Sequence, residues 1–222
     1  MATIILIMVE IITDPGVRFQ RALKQKDWAR PLFVFLIATG ITATVVFYLY
    51  IVPNPDLILA RLADRGLTPE QIDEVATRLT STEGLVFSVI QSLIATAIRI
   101  FITTLFFFLT LILLEQKQRF VDVLTITTNA SLIGIVGYLI RTPLLIITRR
   151  EPATGFGLLV SETNTFLARF LYRLDLFAGW EVTILILGLA LLTRSDWRRL
   201  AVIIIPCWIL YNLVMAHITS RL

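Results

Sequence analysis

Three ionisable residues, Arg99, Arg141 and Glu181, lie inside long apolar segments of this 222-residue sequence. A charge at the centre of a bilayer costs at least ~2.5–3.5 kcal/mol on insertion scales, so it normally faces other helices and finds a partner. One interpretation is a polar intramembrane site for an ion, a proton or an anionic substrate. The other is an Arg–Glu pair that fixes helix packing, while the second arginine extends towards the headgroups. We expect Glu181 to pair with Arg141, with Arg99 near enough to share the carboxylate.

Other kinds of chemistry have little support in the sequence. It contains one histidine and one cysteine, and its carboxylates do not cluster at the spacing of metal ligands. Its serines and threonines have no histidine partner that would complete a catalytic triad, and it has no glycine-rich phosphate-binding loop. We therefore expect no enzymatic activity, no metal site and no cofactor.

Five apolar segments carry more than half of the sequence between residues 31 and 219. A spanning helix needs ~20 mostly apolar residues to cross ~30 Å of hydrocarbon, and its backbone must form its hydrogen bonds internally. Hydrophobic residues make up 57% of the chain, more than a soluble domain of this size needs. The sequence predicts an all-α integral membrane protein, a bundle of five transmembrane helices with short interfacial amphipathic helices. The predicted spans are 31–52, 85–114, 123–147, 176–193 and 200–219.

Residues 1–30 are predicted to form a cytoplasmic or interfacial segment ahead of the membrane domain at 31–219. Asp14 and Pro15 have the pattern of a helix cap and a first helical residue. Basic residues then alternate with apolar ones, which predicts an amphipathic helix lying on the membrane surface. A second short helix is predicted at 68–79, because Thr68 and Gln71 form a capping box, and it is expected to rest on the outer membrane surface or on neighbouring spans.

The basic residues outside the spans predict an orientation. With the N-terminus inside, ten Lys and Arg are cytoplasmic and eight are outside, and the inside charges lie closest to the spans. This favours a cytoplasmic N-terminus and an extracytoplasmic C-terminus. The net charge of +4 fits basic flanks beside anionic lipid headgroups, so we expect no nucleic-acid partner.

The third span is unusually rich in polar and small residues. Small side chains four residues apart let helix backbones approach closely, so this span is predicted to be the central helix, kinked before Pro143. The alternative is a pore-lining helix that exposes backbone carbonyls. Asn212 in the fifth span is the expected hydrogen-bond partner of Asn129. The predicted packing positions are Ala130, Ser131, Gly134 and Gly137.

Three segments resemble the Yip family, five-span membrane proteins named for their interaction with Ypt/Rab GTPases, in its prokaryotic branch. They are Asp14 and Pro15 with the basic helix after them, residues 120–124 around Asp122, and residues 174–180 with Asp175, Phe177 and Trp180. The resemblance implies a five-helix domain with a cytoplasmic N-terminus, and membrane trafficking only for eukaryotic relatives. The chain lacks the long polar N-terminal tail typical of those relatives, so we do not expect GTPase binding. We expect a prokaryotic plasma membrane.

Two classes of function remain. The first is a non-enzymatic membrane protein that organises or scaffolds others, with lipids, other membrane proteins or further copies of itself as partners. The alternative is a small transporter or channel with a polar site around Arg99, Arg141 and Glu181. Five spans cannot form two equal inverted halves, which favours the first class.

Overall fold

The computed structural model describes residues 2–56, 59, 68–79, 81–149, 154–160 and 165–221. Within this part of the chain the structure is helical, which confirms the predicted all-α class. A π-helical turn at Phe47–Ile51 extends α3, and a 3₁₀ turn lies at Phe156–Leu159. The α-helices are α1 (Ala2–Thr13), α2 (Pro15–Gln25), α3 (Ala29–Val46), α4 (Pro69–Leu79), α5 (Thr82–Leu113), α6 (Phe120–Ala130), α7 (Ile133–Thr148), α8 (Phe166–Arg173), α9 (Leu176–Thr193) and α10 (Trp197–Arg221).

Five stretches of the described helices are long and apolar enough to cross a membrane, and each overlaps one of the five predicted spans. The second is the longest at 32 residues, or about 48 Å at 1.5 Å per residue. The stretches are Ala29–Ile51, Thr82–Leu113, Phe120–Thr148, Leu176–Thr193 and Trp197–Val214.

Both predicted capping motifs are confirmed by hydrogen bonds. The Asp14 carboxylate accepts from the backbone N–H of Val17 at 3.0 Å, and Pro15 is the first residue of α2. At α4, the backbone N–H of Thr68 donates to the Gln71 side chain at 3.0 Å. The Gln71 N–H in turn donates to the Thr68 hydroxyl at 3.4 Å. These bonds satisfy backbone donors that have no partner within the helix, which fixes where each helix begins.

Contacts between the described residues divide the chain into two compact units. The first contains Met1–Phe35, Ile98–Gly137 and Ala153–Arg221, and the second contains Leu36–Ala97 and Tyr138–Pro152. In the second unit, a Cβ at Gly40 of α3 would lie 3.7 Å from Leu93 of α5, an ordinary packing contact. In the first unit, α6 packs against α2 and α9, and α8 packs against α10.

The centre of the first unit is α6. Every residue from Asp122 to Ile133 is buried, including five with polar side chains between Thr125 and Ser131. The three threonines of α6 donate their hydroxyls to carbonyls one turn earlier in the same helix. Such bonds satisfy a buried hydroxyl without a partner from another helix, although they tend to bend the helix that makes them.

The third span is interrupted by a turn at Ser131 and Leu132, where α6 ends and α7 begins. Pro143, where the sequence predicted a kink, lies within α7, which continues as helix to Thr148. The polar run of α6 ends at the turn, and the Ser131 hydroxyl bonds there to another helix. The helix of the third span is therefore interrupted ahead of Pro143, at a place where polar side chains compete with the backbone for its hydrogen bonds.

Candidate functional site

Glu181 lies in α9 and faces the turn between α6 and α7. Its Oε1 accepts a hydrogen bond from the Ser131 hydroxyl at 2.9 Å, and its Oε2 lies 3.7 Å from Nη1 of Arg99 in α5. The carboxylate is largely buried, with 16% of the Glu181 side chain exposed, whereas 48% of the Arg99 side chain is exposed. The Arg99 guanidinium also lies 5.5 Å from the centre of the Phe35 ring, within cation–π range. The acidic group is thus held by one hydrogen bond and one ion pair.

The other predicted members of this site have different surroundings. Arg141 belongs to α7 in the second unit, so its pairing with Glu181 stays a prediction. Asn212 donates its amide to the Trp208 carbonyl within α10 at 2.9 Å. Both amide hydrogens of Asn129 go elsewhere, to the carbonyls of Thr125 and Asp27. The expected bond between Asn129 and Asn212 is therefore replaced by other partners.

Sequence reasoning missed a second polar group, which we call the Arg18 cluster: Arg18, Asp27 and Asn129. Arg18 donates from Nε to Oδ1 of Asn129 at 2.7 Å, and from Nη2 to Oδ2 of Asp27 at 3.0 Å. The side chains of Arg18 and Asp27 are only 3% and 8% exposed, and Asn129 is fully buried. Arg30 reaches within 4.0 Å of the same aspartate. The cluster ties α2 and the residues after it to the end of α6 in the third span.

A signal for this cluster was present in the sequence. Arg18 lies next to Phe19 on the apolar side of α2, where a residue exposed to water is not expected. Asp27 follows the same helix, and Asn129 is the one amide residue in the third predicted span. Each of the three residues is unusual in its own segment. A buried charge needs an opposite charge and hydrogen-bond partners, and a basic, an acidic and an amide residue together provide them.

The apolar face of α2 contacts protein. Phe19 and Ala22 are fully buried, and α2 packs against α6 and α9. Gly188 in α9 makes this approach possible, since a Cβ there would lie 2.9 Å from the Phe19 ring and 2.6 Å from Ile126. The sequence predicted that this face would lie on the membrane surface, but in the structure α6 and α9 occupy it.

The aspartates that carry the family resemblance each lie at the start of a helix. Asp14 caps α2, and Asp175 caps α9 by accepting from the Ala178 N–H at 2.9 Å and also accepts from the Thr154 hydroxyl. Asp122, in the first turn of α6, accepts two bonds from Arg119, at 2.9 and 3.2 Å. That hydrogen bonding raises the pKa of Arg119 above its ordinary value. The geometry gives all three a role in positioning helices.

The small residues predicted to pack have identifiable neighbours. Ala130 is fully buried at the end of α6. A Cβ at Gly134 would lie 3.0 Å from the Phe35 ring, and one at Gly137 would lie 3.3 Å from Phe177. Trp180 is partly buried, one residue before Glu181. Small residues in α7 thus leave room for aromatic rings of α3 and α9.

Among the described residues, no three His, Cys, Asp or Glu side chains are grouped as metal ligands would be. The search of curated proteins found no match, and neither did the search of solved structures. A family model described as the Yip1 domain matches residues 9–218, from the last turn of α1 almost to the end of α10. The match covers nearly the whole sequence and includes all three segments that carry the resemblance. The chain therefore belongs to the Yip1-domain family of multi-pass membrane proteins.

Proposed function

We propose that this protein organises other membrane proteins, binding them through its spans without catalysing a reaction. The observation that carries this proposal is the apolar surface of α5, where large hydrophobic side chains are exposed from one end of the helix to the other. The exposed positions include Val86, Phe87, Ile90, Ile94, Ile98, Ile102, Leu105, Leu109, Ile112 and Leu113.

The length of α5 supports a protein partner at one of its ends. Its 32 residues extend about 48 Å, whereas the hydrocarbon core is about 30 Å thick. A tilt of 40°, the upper end of the usual range, still leaves it spanning about 37 Å. The exposed apolar positions run from Val86 to Leu113, about 40 Å, and at the average tilt of about 20° they span about 38 Å, more than lipid tails cover. The exposed face at the N-terminal end, formed by Thr82, Glu83, Val86, Phe87 and Ile90, is the proposed contact for a partner helix.

Photo-crosslinking in native membranes tests this function. A benzoylphenylalanine in place of Phe87, which is 69% exposed, is expected to capture one protein in stoichiometric amount. Ile98 is the matched control because it lies three turns along α5, on nearly the same face, at a depth that lipid covers. There we expect lipid adducts alone. Equal adducts at both positions, or lipid alone at Phe87, would contradict partner binding at this face.

The pair formed by Arg99 and Glu181 supports a second candidate, a small transporter or channel. An intramembrane carboxylate beside a broken helix is an arrangement that ion and substrate pathways use. Flux of small ions into liposomes measures this directly. Flux that Glu181→Gln abolishes would favour transport, and absence of flux in both proteins is expected of an organising protein.

We expect a coupling of at least about 1 kcal/mol between Arg99 and Glu181, the upper end for pairs at a protein surface. Protein leaves 48% of the Arg99 side chain uncovered, but Arg99 lies next to Ile98, at a depth that lipid covers, so water screens the pair less than it would at a protein surface. A double-mutant cycle with Glu181→Gln and Arg99→Gln, read from unfolding in mixed micelles, measures the coupling. The same cycle with Arg141→Gln tests the pairing predicted from the sequence. Additive losses in the Arg99 cycle would show that the two charges do not interact.

The proposed location is a prokaryotic plasma membrane with the N-terminus in the cytoplasm. The distribution of basic residues between the spans supports this orientation.

A further inference from the structure

The first helix, α1, has a surface that the five-span architecture does not explain. Its sequence is apolar all round, and Glu10 is its one charged residue. Ile7 and Ile11 are buried, and α1 packs against α2. On its other side Leu6, Val9 and Ile12 are exposed, the first two by 54% and 49%. This group of three residues is called the α1 face below.

The charge on α1 is neutralised locally. Glu10 forms an ion pair with Arg21 of α2, which leaves the α1 face without a charged group. A helix of 12 residues extends about 18 Å, too short to cross ~30 Å of hydrocarbon but long enough for one leaflet. Apolar segments of 10–14 residues are typical of buried core helices and of re-entrant or interfacial elements.

The exposed side of α2 has the opposite character. Gln20, Lys24 and Gln25 are exposed there, as is Lys26 just after the helix, while Phe19 and Ala22 face the bundle. An apolar face on one helix beside basic side chains on the next matches the lipid acyl chains and anionic headgroups of one leaflet. This complementarity favours lipid over a protein partner as the occupant of the α1 face.

We propose that α1 inserts into one leaflet of the bilayer, with Leu6, Val9 and Ile12 against the acyl chains and the basic residues of α2 beside anionic headgroups. The helix that enters the lipid is then α1, and α2 joins it to the bundle through the Arg18 cluster. This insertion is independent of the partner binding proposed for α5, so either can fail alone.

Collision of a spin label with two relaxing agents tests the insertion. A nitroxide is attached at Val9→Cys in a Cys207→Ser background, and the protein is reconstituted in vesicles of phosphatidylethanolamine and phosphatidylglycerol. Oxygen concentrates in the acyl region, whereas a nickel chelate stays in water. We expect faster collision with oxygen than with nickel at Val9, and the reverse at Lys24→Cys on the exposed side of α2. Leu6→Cys provides a second position on the α1 face.

Two results would overturn the insertion. Faster collision with nickel at Val9 and Leu6 would place the α1 face in water. Slow collision with both agents would show that protein covers it, and spin–spin broadening that disappears on dilution with unlabelled protein would identify a second copy. Helical circular dichroism equal to that of the unlabelled protein shows in either case that the labelled protein is folded.

Discussion

Replacing Arg18 with methionine is expected to lower the free energy of unfolding by about 3–5 kcal/mol, the usual cost of removing one member of a buried ion pair. Methionine fills much of the same space, so the loss comes from the partners. Asp27 keeps a charge that is 8% exposed, and Oδ1 of Asn129 loses the donor at 2.7 Å. Unfolding in mixed micelles, followed by circular dichroism, measures the change.

Two further variants separate the cluster from a general effect of charge. Lys24→Met removes a basic residue from the exposed side of the same helix, and we expect a change within about 0.5 kcal/mol. Combining Arg18→Met with Asp27→Asn removes both buried charges, so the double variant is expected to lose less than the two single losses added together. Equal losses for Arg18→Met and Lys24→Met would mean that α2 does not dock through Arg18.

The features that the sequence predicted correctly are determined by residues near one another in the chain. A cap such as Asp14 bonds three residues ahead, and the capping box of Thr68 and Gln71 is equally local. The spans follow from length and polarity, because an unpaired backbone is too costly in lipid. The family resemblance has the same basis, since the aspartates that carry it lie at helix starts. Asp122 bonds three residues back, and Asp175 three residues ahead.

The contacts that sequence reasoning missed join residues far apart in the chain. Arg18 and Asn129 are 111 positions apart. The periodicity of α2 predicts an apolar face, but that face has the same pattern whether lipid or protein covers it. Sequence reasoning also missed the turn at Ser131 and Leu132 that interrupts the third span. Proline is a strong signal for a helix irregularity, whereas the hydroxyl side chains of α6 are weak ones. Glu181 was identified as a buried charge, yet its partner Ser131 was assigned only to packing.

Gly188 in α9 lies where α2, α6 and α9 meet. We expect Gly188→Leu to lower the free energy of unfolding by about 3 kcal/mol, which is the upper end of the usual range for an overpacked core. A Cβ there would lie 2.6 Å from Cγ2 of Ile126 and 2.9 Å from Cζ of Phe19, and Ile126 and Phe19 are both fully buried. Gly179→Leu is the matched control, because a Cβ at Gly179 meets nothing within 4 Å. It should be neutral, or stabilise α9 by up to about 1 kcal/mol through helix propensity.

The same glycine distinguishes a docked α2 from one lying on the membrane surface. If Phe19 fills the space above Gly188, then Phe19→Ala alone leaves a cavity and costs about 3–5 kcal/mol. In the presence of Gly188→Leu, the same truncation gives the leucine room, so the double variant should be more stable than the sum of the two losses predicts. A helix on the membrane surface would show a small effect of Phe19→Ala and no coupling with Gly188. Because Ile126 still limits the space, the recovery is expected to be partial, and Ile126→Ala added to the pair should increase it.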